Sequence, residues 1–211
     1  MKARFLLLAC AALLSGCIIF DKKSEAVTFH QLASPAATTI APAKRGPLVF
    51  VPRAIIPSAL RRPNLVLLDD TGWVRVEDAH RWIAPLDRAF AETVGRHLTA
   101  LTGVATVAQS PAEDHQVLLL TVDRMEVFTA AAAGRSLFTL PGTSENKDTA
   151  ILQVTYRLEK SDGTTLATGT LSRSAPLKER TPTEFVRVQS ANVASLTQDL
   201  AKLFTPSPVS K

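Results

Sequence analysis

The groups with which this chain of 211 residues could do chemistry are few: two thiols, four imidazoles, and carboxylates drawn from 19 Asp and Glu. His30, His80, His97 and His115 fall in no metal-binding spacing such as His-x-x-x-His. His97 lies beside the apolar stripe of a helical segment and reads as a packed or boundary histidine. Asp69-Asp70 resembles a carboxylate pair for acid–base work, but beside Thr71-Gly72 it reads as a turn. No Gly-x-Ser-x-Gly elbow is present, and the nine glycines form no phosphate-cradling loop. Cys10 sits in an apolar run and Cys17 is the other cysteine, so a chain cut between them can form neither an internal disulfide nor a thiolate metal cluster. The residues therefore offer no catalytic set and call for no metal or cofactor, and they point away from an enzyme.

The chemistry that stands out is acylation of Cys17. Met1 to Arg4 is short and basic, and Phe5 to Leu14 is almost wholly apolar. A charged stub followed by such a run reads as a secretory signal, too short for a membrane span of about 20 residues. Leu14-Ser15-Gly16-Cys17 then matches the lipobox of bacterial lipoproteins, a leucine and two small residues before the cysteine that accepts a diacylglyceryl group. Residues 1–16 are expected to be removed, and residues 17–26 to form a lipidated tether. Each buried methylene stabilises membrane binding by about 0.8 kcal/mol, so two or three acyl chains anchor the protein effectively for good. In well-studied lipoproteins an aspartate directly after the cysteine marks inner-membrane retention. Ile18 stands there, with Asp21 further on, so the expected location is the periplasmic face of the outer membrane. Without Lys2 and Arg4 the formal charge of +5 falls to +3, from 22 basic against 19 acidic residues. That is too weak to imply nucleic acid, and fits solubility with some attraction to acidic headgroups.

A second concentration of reactive and aromatic types is His80-Arg81-Trp82-Ile83-Ala84-Pro85-Leu86-Asp87, expected between a hairpin and the first helix. Its structural reading has Trp82 packing the helix start and Asp87 near the positive helix end. Its functional reading is a docking surface built on Arg62, Pro63, His80, Arg81 and Trp82, since Trp and Arg are favoured interface anchors.

The elements that must position these residues follow from periodicity. Val27 to Leu32 alternates, with Val27 and Phe29 apolar, and predicts a first strand. Ala33 to Pro47 is a proline-containing loop. Leu48 to Val51 is a strand stopped by Pro52, and Ser58 to Pro63 a bend or helical turn. Asn64–Leu68 and Gly72–Val76 pair as a hairpin. Leu86, Phe90, Val94, Leu98 and Leu101 make one helical stripe, opened by Pro85 and stopped by Gly103. Val104–Val107 and Val117–Phe128 are strands, Ala130 to Asp148 a mobile loop, and Ile151–Glu159 a half-buried strand turned by Ser161-Asp162-Gly163-Thr164 into Leu166–Ser172. Thr183 to Phe204 is a helix with Phe185, Val188, Leu196, Leu200 and Leu203 on one side, and residues 205–211 are a flexible tail. The fold class is α+β: one domain over residues 27–204, a mainly antiparallel sheet covered by two amphipathic helices.

Pro57-Ser58-Ala59-Leu60-Arg61-Arg62-Pro63-Asn64-Leu65-Val66 resembles the P-x-x-L-x-R-P-x-(I/V)-V segment of the ABC-type transport auxiliary lipoproteins of the PqiC/YmbA type. Trp82-x-x-Pro85-Leu86 resembles that family's (H/R)-W-x-E-P-L approach to its first helix, and Phe29-His30-Gln31-Leu32 its opening aromatic strand. Ala84 replaces the usual glutamate, and Leu68 stands where a second arginine is common. The resemblance implies an outer-membrane lipoprotein that docks an MCE-domain periplasmic protein and its inner-membrane permease, carrying lipid between membranes without chemistry of its own. Self-association stays open. The competing reading is a lipid-binding or chaperone-like envelope lipoprotein with no transporter partner, suggested by the apolar strand Val117 to Val122. A weaker third is an envelope hydrolase.

Overall fold

The structure is a computed structural model that describes residues 26–34, 47–68, 72–128 and 148–204. The expected signal segment and lipobox, most of the expected tether, residues 69–71 where a turn is expected, nearly all of the expected loop after Phe128 and the expected tail after Phe204 lie outside the described residues. The elements are β1 (Thr28–His30), β2 (Val49–Phe50), a 3-10 turn (Ser58–Leu60), β3 (Asn64–Leu68), β4 (Val74–Trp82), α1 (Leu86–Thr102), β5 (Thr106–Val107), β6 (Gln116–Phe128), β7 (Thr149–Lys160), β8 (Thr165–Pro176) and α2 (Pro182–Ala201).

The α+β class expected from the sequence is observed, with two helices and mainly antiparallel pairing among the described residues. The strands divide between a three-stranded sheet, order β1-β4-β3, and a five-stranded one, order β5-β2-β6-β7-β8. β6, β7 and β8 are long and antiparallel, whereas the parallel pairs β1–β4, β2–β5 and β2–β6 cover two or three residues each. The prolines explain why two sheets form. Pro52 and Pro57 bracket Ala54-Ile55-Ile56, so this segment adds only a single bridge, Ile55 to Thr121, beside β6. A residue without an N–H cannot extend that ladder.

One core joins the layers. Phe90, Val94 and Leu98 of α1 and Phe185, Val193, Leu196 and Leu200 of α2 are fully or almost fully buried with Leu118, Leu152 and Val154 of the sheet. The α1 stripe ends at Leu98, and Leu101 is half exposed, contrary to expectation. The backbone turns away just beyond it, where Gly103 adopts φ 73° and its N–H donates to the Thr99 carbonyl at 2.8 Å. A left-handed residue at that position suits glycine because it has no Cβ to clash.

α2 buries more polarity than its apolar stripe suggests. Gln189 and Asn192 are buried: Gln189 Nε2 donates to the Ile151 carbonyl (2.9 Å), and Asn192 Nδ2 to that of Ala150 (3.3 Å). The helix begins at Thr181, whose hydroxyl accepts from the Glu184 N–H at 3.3 Å, with Pro182 in the first turn. Glu184 then accepts from Arg187 at 2.6 and 2.7 Å and from the Lys178 N–H at 3.0 Å. Arg187 above all, then that N–H, holds its carboxyl down at about 2.

The Gly103 turn is testable. Gly103→Ala should lower unfolding stability by about 1 kcal/mol, the penalty of a left-handed alanine. Gly103→Asn should cost less. Urea denaturation of both variants measures this, and equal stability of all three proteins would show that α1 does not depend on that conformation.

Candidate functional site

The second hairpin strand runs to Trp82, beyond the expected Val76. His80, Arg81 and Trp82 therefore belong to β4, and the reactive cluster is not a linker between hairpin and helix. The pairing with β3 explains how this strand aims its side chains. Leu65 pairs with Glu77, but Asn64 pairs with Arg81, so Asp78, Ala79 and His80 have no partners on β3. An odd number of extra residues reverses the inward phase of the strand. Glu77 faces in before the irregularity and Trp82 faces in after it, at 6% exposure.

Three main-chain bonds fix this point. The Trp82 N–H donates to the Pro63 carbonyl (2.8 Å), the Ile83 N–H to that of His30 (2.9 Å), and the Ala89 N–H to that of Pro85 (2.9 Å) as α1 begins. Around the indole opens a cleft of about 390 Å³. Ile56, Leu86 and Trp82 form its buried base, and Pro63, Ala84 and Pro85 its sides. Ile83, 64% exposed, stands at the rim with Arg61, Arg62 and Asp87. Arg61 Nε donates to the Ile56 carbonyl at 3.3 Å, which holds that guanidinium at the mouth. Arg62 has no hydrogen-bond or ion-pair partner among the described residues. Asp87 accepts from the Arg88 N–H at 2.8 Å and faces Arg53 at 3.9 Å.

Of the expected docking residues, the fold brings Arg62, Pro63 and Trp82 to this cleft. Arg81 is exposed and points to the opposite side of β4 from Trp82. His80 lines a different contact: its Nδ1 lies 2.8 Å from Nε2 of His30 on β1, with ring centroids 5.1 Å apart. The first strand faces the reverse of the expected way. Thr28 pairs with His80 and His30 with Trp82, so His30 and Leu32 turn inward while Phe29 is 61% exposed. Strand register, not the hydrophobicity of Val27 and Phe29, sets that phase. His97 sits half-buried, its Nε2 3.3 Å from the Ala33 carbonyl, as a boundary histidine should.

Sequence reasoning missed Ile56 and Arg61 as cleft residues, and the His30–His80 pair. The signal for Arg61 was the bracketing of Ser58–Arg62 by Pro57 and Pro63, and for Ile56 its place directly before Pro57. The histidine pair, 50 residues apart in the chain, left no local signal. Chemically the cleft can hold an apolar group while guanidinium donors at its mouth bind an anion. Among the described residues no three His, Cys, Asp or Glu side chains are placed to hold a metal ion. No described helix is long and apolar enough to cross a membrane.

A family model described as the ABC-type transport auxiliary lipoprotein component matches residues 30–201. Among solved structures, an uncharacterized protein superposes with a TM-score of 0.64 at 16% identity, over 86% of this chain and 100% of the other. A Xanthomonas campestris protein of family DUF330 gives a TM-score of 0.62 at 15% identity, over 83% of this chain and 93% of its own. At these identities the likeness concerns the fold. No curated protein matches the chain.

Two outcomes follow from the geometry. Trp82→Ala removes a buried indole and should lower stability by about 3–5 kcal/mol. Unchanged melting would show the ring contributes little to the fold. Acid should also destabilise the protein. His30 is held below the ordinary histidine value of 6.5 by burial first and by His80 second. Burial, with a smaller push from Arg96, holds His97 low against the Ala33 carbonyl. A base with a depressed native value contributes its stability fully above 6.5 and loses it as pH falls below, because the unfolded chain takes the proton first. Melting temperature should drop between about pH 7.5 and about pH 5.5, and His30→Gln should make that drop shallower, leaving the His97 part. An identical slope in the variant would remove the assignment to His30.

Proposed function

Since the chain belongs to the family of ABC-type transport auxiliary lipoprotein components, we propose that it is an envelope scaffold with no chemistry of its own. Acyl chains on the Cys17 sulfur hold it at the periplasmic face of the outer membrane, after removal of residues 1–16. The tether of residues 17–26 leads into the folded domain, residues 27–204. Through that domain it docks an MCE-domain periplasmic protein, whose inner-membrane permease completes a system moving lipid between membranes.

The observation that carries this reading is the cleft at Trp82. It combines a buried apolar base, an isoleucine exposed at its rim and two guanidiniums at its mouth, one of them without a partner among the described residues. Fully desolvated aromatic and aliphatic pockets with arginine at the edge are where protein interfaces concentrate binding energy. The same residues offer no nucleophile paired with a base. The alternative of a lipid-binding groove has less of the apolar strand to draw on, with only Val117 and Leu119 of Val117–Val122 left half-buried among its apolar residues. Leu118, Leu120 and Val122 of β6 are at most 2% exposed and are taken up by the core.

The test separates docking from folding. Arg62→Glu and Ile83→Asp alter exposed side chains and should change stability by less than about 0.5 kcal/mol. Affinity purification of the wild-type lipoprotein from its native envelope should bring down an MCE-domain protein, and either variant should lose most of it. A wild-type preparation with no such partner, or variants that keep it in full, would overturn the reading.

A further inference from the structure

We propose that two copies of this chain pair antiparallel along the free edge of β8, with a two-fold axis at Thr170, so that their five-stranded sheets join into one continuous sheet. The pairing goes beyond the docking reading of the Trp82 cleft and does not depend on it, since no residue of β8 lines that cleft.

β8 closes the order β5-β2-β6-β7-β8, and among the described strands it pairs with β7 alone. It is 12 residues long, and its register on β7 is unbroken from Ala167 to Pro176. The Leu177 N–H donates to the Asp148 carbonyl at 2.7 Å, in step with the Thr149–Pro176 pair beside it. Bonded and non-bonded pairs alternate in an antiparallel ladder. Counting by twos from Leu177, the odd-numbered residues Ala175 to Ala167 turn their main-chain groups to β7. Thr168, Thr170, Ser172 and Ser174 therefore send theirs off the edge. Among the described residues the one bond made to these groups comes from Arg173 Nη1, which donates to the Ser172 carbonyl at 2.7 Å. The hydroxyls do not cover the edge either: that of Thr168 donates to the Tyr156 carbonyl (3.1 Å), and that of Thr170 lies 3.0 Å from the hydroxyl of Thr155. Edges of this kind are usually blocked by a lysine, an internal proline or a bulge. From Ala167 to Ala175 β8 has none of them, and Pro176 is its last residue.

Charge and symmetry make a second β8 the occupant. The one charged residue of the strand is Arg173, and Asp199 and the Ser195 hydroxyl (2.9 Å) hold its guanidinium. The edge thus offers a charged partner strand nothing to pair with, while a two-fold contact needs a patch that matches itself. With the axis at Thr170, Thr168 falls opposite Ser172 and Leu166 opposite Ser174, and each outward N–H meets a carbonyl of the other copy. Arg173 falls opposite Ala167, so no like charges are opposed, and hydroxyl residues face one another across the strands. The same axis leaves Pro176, which has no N–H to give, outside the new ladder. Both Trp82 clefts stay open in such a pair, so one assembly presents two docking surfaces.

The experiment uses the full chain, purified from its native membrane in detergent. In sedimentation at rising concentration the wild type should reach a mass of two copies. Thr170→Lys sets two ammonium groups against each other across the axis. Thr170→Pro removes an N–H that no described residue accepts. Both variants should keep the wild-type circular dichroism and sediment as single copies. A cysteine readout needs neither variant to fold. Under mild oxidation Thr170→Cys should link two copies at least about tenfold faster than Asp162→Cys at the β7–β8 turn, as expected for a high local concentration. The Cα atoms of a bonded antiparallel pair lie about 5.5 Å apart, within reach of a disulfide. Mass spectrometry of the linked peptides separates this bond from any through Cys17. A wild type that stays a single copy at every concentration would overturn the proposal. So would a wild-type mass kept in full by a folded Thr170→Lys, which would place the contact elsewhere, and equal linkage rates at the two positions. A bond from Thr170→Cys to a different protein would overturn it too, because the edge would then belong to a partner.

Discussion

The backbone bonds at Trp82 and Ile83 are the constraint on which the rest of this site depends. Two consecutive N–H groups donate to the carbonyls of Pro63 and His30, residues far apart in the sequence, and α1 starts four residues after Trp82. The end of β4 is thereby tied at once to the chain before β3, to β1 and to the first helix. The buried indole fills the space that this convergence leaves. Prolines stand at the junctions because they stop one kind of ladder and start another: Pro63 just before β3, and Pro85 just before the first turn of α1. The three residues of β4 without partners on β3 then turn Trp82 inward, so the cleft is built on regular elements and not on free loops.

Away from the cleft, stability and register come from different interactions. Apolar burial along β6, β7 and the two helices supplies the bulk of the driving force and is indifferent to small sliding movements. Gln189 and Asn192 are not indifferent. Each must reach one particular carbonyl at the start of β7, and either would be left buried and unsatisfied if α2 shifted. The Thr181 cap and the Glu184–Arg187 pair fix where that helix begins. By contrast the ion pairs along the strands, Arg75 with Glu77 (2.7 Å) and Arg157 with Glu159 (2.9 Å), have arginines more than half exposed and contribute little.

The cleft separates residues that hold the fold from residues free to bind. Trp82, Leu86 and Ile56 are buried and serve packing first, whatever touches them from outside. Ile83, Arg62 and the outer part of Arg61 have little structural duty, and they give the mouth its apolar rim and positive charge. An auxiliary component needs surfaces of this second kind more than it needs reactive groups. The family assignment, an auxiliary lipoprotein component, and a cleft with an exposed apolar and basic rim are compatible with each other.

Local rules written in the sequence determined much of this. The charged stub, the apolar run and Leu14-Ser15-Gly16-Cys17 are contiguous, and the resemblance to the auxiliary lipoproteins rests on short segments around Arg62 and Trp82. The helices were legible because a 3.6-residue period marks one buried side, as Leu86, Phe90, Val94 and Leu98 do. The β7–β8 hairpin was legible because its alternation and its Asp-Gly turn lie next to each other. Tertiary structure alone decided the rest. The length of β4, the inward turn of Trp82 and the reversed facing of β1 all depend on strand register. Register is a property of two chain segments together, and a slip of one residue exchanges the two faces without changing a letter of the sequence. For the same reason His30 meets His80, and Ile56 and Arg61 join the cleft, only once distant strands have paired.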